Sequence, residues 1–352
     1  MRVIFLSRYG RLGASSRLRC FQYIPYFESR GVVITIAPLL SDDYIAGIYN
    51  GRIPLASVVR SYYCRWQWML KLSDFDVVWV EKEMLPWVPA WLELGCLPRE
   101  IPMVVDYDDA VFHRYDLHRF KVIRAILGHK IDAVMRRADL VVAGNHYLAD
   151  RALHVGARRV EVLPTVVDLQ RYSSIQLSDS PPVTIGWMGS PATAHYLLEM
   201  APVFEALLAQ QNIRLVAVGA NKNQLGALPF NVMPWTEASE VTLLQHFHIG
   251  IMPLPDEPFE RGKCGYKLIQ YMACAKPVVA SPIGVNSIIV RHGVDGFLAS
   301  STKEWIEYLQ LLIVNSGLRY QMGQAGRARV EAEYSLQVTA PKLERLLHSV
   351  II

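Results

Sequence analysis

The sequence predicts an α/β protein of two domains, each a parallel sheet covered by helices on both faces. Short apolar runs alternate with amphipathic segments through both halves, which is the pattern of repeated strand–helix units. A chain of 352 residues is long enough for two separate cores. Residues 173–182, rich in Ser and Asp and ending in Pro-Pro, read as the linker between them.

Taken in order, residues 3–7 form a first strand, followed by a loop over 8–15 and a helix over 16–29 that ends at Gly31. Residues 32–37 are the next strand and 54–72 a helix. The runs 77–80, 103–106, 140–143 and 160–163 are short buried strands, with helices over 117–137 and 147–155 between them. In the second half, strands are expected at 183–188, 215–218, 249–252 and 278–280. Helices are expected at 196–210, 241–246, 265–274, 305–314 and 337–347.

The most informative stretch runs from Pro253 to Ser281. Prolines and acids open it as a loop, Gly262 and Gly265 flank Lys263, and Pro277 stops the helix that follows. On a helix extended through this stretch, Lys263, Lys267 and Gln270 share one face, while Leu268, Ile269, Met272 and Ala273 face a sheet. Free amides at a helix start, glycines that admit a ligand and two lysines together suit an anion, most simply a diphosphate.

This stretch resembles the sugar-nucleotide signature of the retaining GT-B glycosyltransferases of the GT4 family (glycosyl transferases group 1). The matching residues are Tyr271-Met272-Ala273-Cys274 and Pro277-Val278-Val279-Ala280. The family's two signature glutamates fall on Gly262 and Gln270. The runs 138–145 (A-D-L-V-V-A-G-N) and 164–168 (P-T-V-V-D) resemble the family's strand and hinge, and 320–334 resembles its tail. The resemblance implies two Rossmann-like domains facing a central cleft. Residues 1–170 plus a returning helix 337–352 would bind the acceptor, and residues 171–336 the nucleotide-sugar. It implies transfer of a sugar to an acceptor hydroxyl with retention of configuration. The nucleotide-sugar enters as substrate, and neither cofactor nor metal is needed.

Donor binding is assigned to Gly13, Gly189, Ser190, Arg261, Lys263, Gly265, Tyr266, Lys267 and Gln270. The family's diphosphate-binding Arg and Lys fall on Ser190 and His195, so Lys263 and Lys267 are expected to supply the charge instead. Gln270 would hydrogen-bond the ribose, and a Gln270→Glu change is expected to be tolerated. Glu260 is the acid nearest the missing first glutamate. The glycine-rich loop after the first strand leads into Ser15, Ser16 and Arg17, which suit a phosphate or an anionic acceptor near a helix start; the alternative is a capped helix with exposed arginines. Asp108, Asp109 and His113 follow a buried strand, where they would touch sugar or acceptor hydroxyls. Turn and capping duty is the alternative for these acids, and metal binding by Asp106, Asp108 and Asp109 is a weaker one.

Five cysteines without metal spacing fit reduced thiols, and no run of 18 apolar residues is present. The N-terminus reads as a strand and not as a signal peptide. The expected location is therefore cytoplasmic. The net charge of +4 lies wholly in the first 170 residues, which suits an anionic acceptor or peripheral contact with the inner face of a membrane. The aromatic-basic run 61–68 would serve core packing or such a surface. Nucleic acid is not an expected partner. The acceptor is a glycan, a lipid-linked sugar or a small molecule, and polysaccharide biosynthesis is the expected setting. Two other functions stay open: a non-catalytic nucleotide-sugar-binding protein and a nucleotide-sugar 2-epimerase of the same fold.

Overall fold

The computed structural model describes residues 1–49, 55–175 and 181–351. Pro54 of the expected helix 54–72 and the central part of the expected linker lie outside the described residues. The chain divides into two compact units. Unit 1 comprises Met1–Thr165, Gly262–Cys264 and Thr339–Ile352, and unit 2 comprises Val166–Arg261 and Gly265–Val338.

Unit 1 holds the strands β1 (Arg2–Leu6), β2 (Val33–Ile36), β3 (Val77–Glu81), β4 (Met103–Tyr107), β5 (Leu140–Ala143) and β6 (Val160–Val162). They pair in parallel in the order β2-β1-β3-β4-β5-β6. The inner strands β3, β4 and β5 are buried throughout, as continuous apolar runs covered on both faces must be. On one face Phe5 packs on Trp79 with ring centroids 4.7 Å apart, and Phe27 meets the same indole edge-on. The register sets Leu6 beside Val80 and Glu81 beside Asp106, so the C-terminal ends of β1, β3 and β4 are level. The strand order reverses between β1 and β3, and ligands of open α/β sheets bind at such a point. The C-terminal helix Leu336–His348 contributes Thr339 and Glu344, which bond to the hydroxyls of Tyr23 and Tyr26.

Unit 2 holds β7 (Val183–Met188), β8 (Ile213–Val218), β9 (Asn231–Met233), β10 (Ile249–Met252), β11 (Val278–Ala280) and β12 (Gly296–Leu298). Their order is β12-β11-β10-β7-β8-β9, with a reversal between β7 and β10. Ser301 and Glu304 form a capping box at the start of the helix Thr302–Val314, where two orphan amides are satisfied reciprocally.

The expected strands are present to within a residue or two, but three expected helices are broken. The helix expected over 16–29 is Ala14–Arg19, a 3-10 turn Phe21–Tyr23, and Ile24–Ser29, because Pro25 supplies no N–H and fits only in a first turn. The helix expected over 117–137 is His113–Asp116, Lys121–Leu127 and Lys130–Arg137. The last break is at Gly128, where a Cβ would stand 2.3 Å from the Arg124 carbonyl oxygen. The helix expected over 196–210 becomes a 3-10 segment Pro191–Met200 followed by Ala201–Gln210, with Pro202 in the first turn.

Candidate functional site

In unit 1 the candidate residues gather where β1, β3 and β4 end. Gly13 is required by close approach, since a Cβ there would lie 2.3 Å from Tyr9 Cβ. Beyond it the helix Ala14–Arg19 points its start at Glu81, which is fully buried. Ser15 Oγ and Ser16 Oγ each donate to the Glu81 carboxylate at 2.5 Å, and the Arg8 amide donates to it at 2.8 Å. A hydroxyl has one proton to give. Ser15 and Ser16 therefore hold the loop to β3 in this structure and have no donor left for a phosphate. Arg17 is buried, with Nη1 reaching the Arg11 carbonyl. Arg19, on the same helix, forms a bidentate pair with Asp106 at 2.7 and 3.0 Å. Burial pushes the Asp106 carboxyl up to about 6, even with this guanidinium against it.

The residue after β3 is one that sequence reasoning missed. Lys82 is buried and sits in the left-handed region at φ 66°. Its ammonium is 2.7 Å from Asp108 and 3.6 Å from Asp109. Burial alone would raise the Asp108 carboxyl, but Lys82 holds it below the usual range. Asp109 is the more open of the two, and its carboxyl is raised by burial and by the adjacent Asp108 charge. Lys263 acts on Asp109 in the opposite sense. His113 uses both ring nitrogens locally, with Asp116 Oδ1 and the Tyr147 hydroxyl each at 2.9 Å.

Segment Gly262–Cys264 belongs to this unit. Asn145 Nδ2 donates to the carbonyls of Gly262 and Lys263 at 2.9 and 3.1 Å, and Cys264 Sγ donates to the Asp108 carbonyl at 3.0 Å. The expectation that Lys263, Lys267 and Gln270 share one helical face is thus corrected. The helix is Tyr266–Ala273, and Lys263 precedes it in the chain. Gly265 caps it at φ 63°, with Ile289 Cδ1 2.4 Å from the position of a Cβ, so only glycine fits.

In unit 2, Gly189 ends β7 under the Trp187 ring, which lies 2.3 Å from where a Cβ would be. Ser190 follows as the cap of the 3-10 segment, its carbonyl accepting from the Thr193 amide. Lys267 Nζ sits 4.8 Å from the centroid of Trp187, which brings this lysine to the Gly189 turn. Two groups more than seventy positions apart in the chain therefore meet at the β7 end. Glu260 is buried and accepts from the Tyr196 hydroxyl. Arg261 is exposed and paired with Asp256.

Gln270 is buried, and its Nε2 donates to the Tyr172 hydroxyl at 2.9 Å. Tyr172 in turn donates to Glu240 at 2.9 Å, the Tyr266 hydroxyl lies 3.4 Å away, and Trp235 Nε1 donates to the second Glu240 oxygen. Tyr172 and Glu240 carried no motif in the sequence. The network adds a stability cost to Gln270→Glu that the sequence did not announce. That change removes the donor facing the Tyr172 oxygen and puts a second carboxylate near buried Glu240. Gln270→Glu should lower stability by about 1–3 kcal/mol at neutral pH, as urea denaturation will show, and Gln270→Met should cost less.

Among the described residues no group of three His, Cys, Asp or Glu side chains is disposed to hold a metal ion. No described helix is long and apolar enough to cross a membrane.

The family model described as Glycosyl transferases group 1 matches residues 182–315. No curated protein matches the chain in sequence. Among solved structures, Anabaena HepE in complex with UDP and glucose is similar over 99% of this chain and 100% of its own, at 16% identity and a TM-score of 0.74. Sucrose-phosphate synthase from Thermosynechococcus elongatus is similar over 99% and 98%, at 13% identity and a TM-score of 0.75. A glycosyltransferase from Rickettsia africae matches over the same shares at 13% identity and a TM-score of 0.69. With its two six-stranded parallel sheets, the chain has the GT-B fold, and its residues 182–315 match the glycosyl transferases group 1 family.

Proposed function

We propose that the protein is a glycosyltransferase of the GT4 type that moves a sugar from a nucleotide-sugar to an acceptor hydroxyl, with retention of configuration. The observation that carries this is the meeting of Lys267, the Gly189 turn and the start of the helix Tyr266–Ala273 at the strand reversal of unit 2. An ammonium and the positive end of a helix dipole suit the diphosphate of a departing nucleotide, whose developing charge they stabilise. HepE, of the same fold, has been crystallised with UDP-glucose, and TarM with UDP and alpha-GlcNAc-glycerol. Retention is carried over from the family resemblance.

On the acceptor side the geometry favours Asp109 over Asp108 and His113. Asp108 is committed to Lys82 and His113 to its two neighbours, whereas Asp109 is more open and holds its proton more readily than an ordinary carboxylate. Such a group suits a hydrogen bond to the acceptor hydroxyl. In unit 2, Glu260 accepts from the Tyr196 hydroxyl, and its remaining acceptor capacity supports a role toward a sugar hydroxyl.

A panel of nucleoside diphosphates and nucleotide-sugars, read by thermal stabilisation, identifies the donor. Release of nucleoside diphosphate and the anomeric configuration of the product then test transfer and retention. Binding without turnover across donors and acceptors would favour a nucleotide-sugar-binding protein instead. Lys267→Ala should weaken the preferred diphosphate by about 1.5–3 kcal/mol, measured by calorimetric titration. Unchanged affinity in this variant would remove the diphosphate assignment.

A further inference from the structure

The helix Leu55–Met69 has two unlike faces. Its inner face is fixed to unit 1 by Arg65, which is buried and donates to the carbonyls of Ser7, Ala37 and Met84. Its outer face carries Val59, Tyr63 and Trp66, and Leu70 follows one residue beyond the helix, all exposed and spaced along a single stripe. Exposed apolar residues on one helix stripe are not a core.

The stripe continues across neighbouring elements. Tyr62 donates to the Pro86 carbonyl at 2.7 Å, and the next residue, Trp87, is 49% exposed. Trp87 packs edge-on against Tyr115 and His118, and His118 packs on Phe120. Phe120 then leads into the helix Lys121–Leu127, where Val122 and Ile126 are exposed. Trp87 is held at φ 63°, a conformation a bulky side chain rarely adopts, and yet its ring is half open to solvent. Strain kept at an exposed tryptophan points to a surface that is used.

The charge on this face is mainly positive, with exposed Asp74 at its edge on the turn after Lys71. Residues 55–73 and 117–131 contain no Asp or Glu, while Arg60, Lys71, Arg119 and Lys121 are exposed among the aromatics. Glu83 and Glu93 lie beneath the face, buried and paired with Lys130. Asp116, at its margin, is paired with His113 and Arg151. Arg119 lies over the Phe120 ring, 4.6 Å from its centroid, and tryptophan and tyrosine mixed with exposed basic side chains suit the headgroup region of a negatively charged bilayer, which takes amphipathic rings and cations together. Aromatics and arginine also mark protein interfaces, but lysine is depleted there, so the exposed Lys71 and Lys121 favour the bilayer.

We propose that this aromatic and basic face of unit 1, formed by the helix Leu55–Met69, Trp87 and residues 117–126, docks on an anionic lipid bilayer. The segments that build it follow β3 and β4, the strands whose ends carry Lys82 and Asp109. On the transferase reading, the acceptor is then one presented at a bilayer surface. Vesicle binding does not depend on that reading, so the two fail separately.

The test is co-sedimentation of the full chain with vesicles of phosphatidylcholine alone and of phosphatidylcholine with phosphatidylglycerol, at low and high salt. Tyr63→Ser with Trp66→Ser removes aromatic anchors, and Arg119→Glu with Lys121→Glu reverses the charge. All four positions are exposed, and an unchanged midpoint in urea denaturation checks that each variant is folded. The expected result is capture by the anionic vesicles only, lost at high salt and weakened about tenfold or more by either double variant. Absence of capture by both vesicles, or capture that neither variant weakens, overturns the proposal. So does a dimer in sedimentation that Tyr63→Ser with Trp66→Ser dissociates while vesicle binding stays absent, because a second copy would then cover the face.

Discussion

Lys82→Met should destabilise the protein by about 3–5 kcal/mol in urea denaturation at neutral pH, the cost of breaking a buried ion pair from one side. The ammonium is 4% exposed and serves two carboxylates, Asp108 at 2.7 Å and Asp109 at 3.6 Å. Without it two adjacent negative charges face each other in a largely buried site. Asp108, now held below the usual carboxylate range, supplies stability that is present above that range and lost as pH falls through its folded value. In the variant this sign inverts, because protonation relieves the repulsion and acid becomes protective. Adding Asp108→Asn to Lys82→Met should recover a large part of the loss. No recovery would mean that the lysine matters for its packing and left-handed backbone and not for its charge.

Arg19→Met should show an effect of similar size with its own pH signature. Arg19 and Asp106 are both buried, and the guanidinium also bonds the Leu163 carbonyl. The Asp106 carboxyl stands at about 6 in the folded protein, against about 4 in an unfolded chain. Between those values the folded state binds more protons than the unfolded one, so this group's contribution to stability falls as pH rises through that window. Removing Arg19 raises the folded value further and widens the window upward. The loss should be about 3–5 kcal/mol near pH 8 and much smaller near pH 5. Equal losses at both pH values would show that Asp106 does not carry the effect.

The fold was legible because many inner strands of a parallel sheet are uninterrupted apolar runs, and Leu140–Ala143 or Val278–Ala280 can hardly be read otherwise. Helix breaks were less legible. Pro25 and Gly128 were visible, but whether a helix kinks or stops there depends on what it packs against. The site was legible only where its chemistry is local. Gly265 and Lys267 lie in one short stretch, whereas Lys82 finds its acids 26 and 27 positions later, through the pairing of β3 with β4. Glu81 gave no signal either, although it absorbs the protons of Ser15 and Ser16 and so changes what those serines can do. Lys263 was set on the helical face although the expected helix began only at Gly265, because nothing local announces the left-handed turn that takes the chain off the helix axis there.

The stacking of Lys267 on Trp187 has an optical consequence. Trp187 is completely buried, and the Lys267 ammonium lies 4.8 Å from its ring centroid. Indole emission is sensitive to nearby charge, so an anion that draws the ammonium off the ring changes the colour and intensity of one tryptophan among eight. On the reading proposed above, Lys267 is thus coupled to a chromophore, and diphosphate binding can be followed as light without any label.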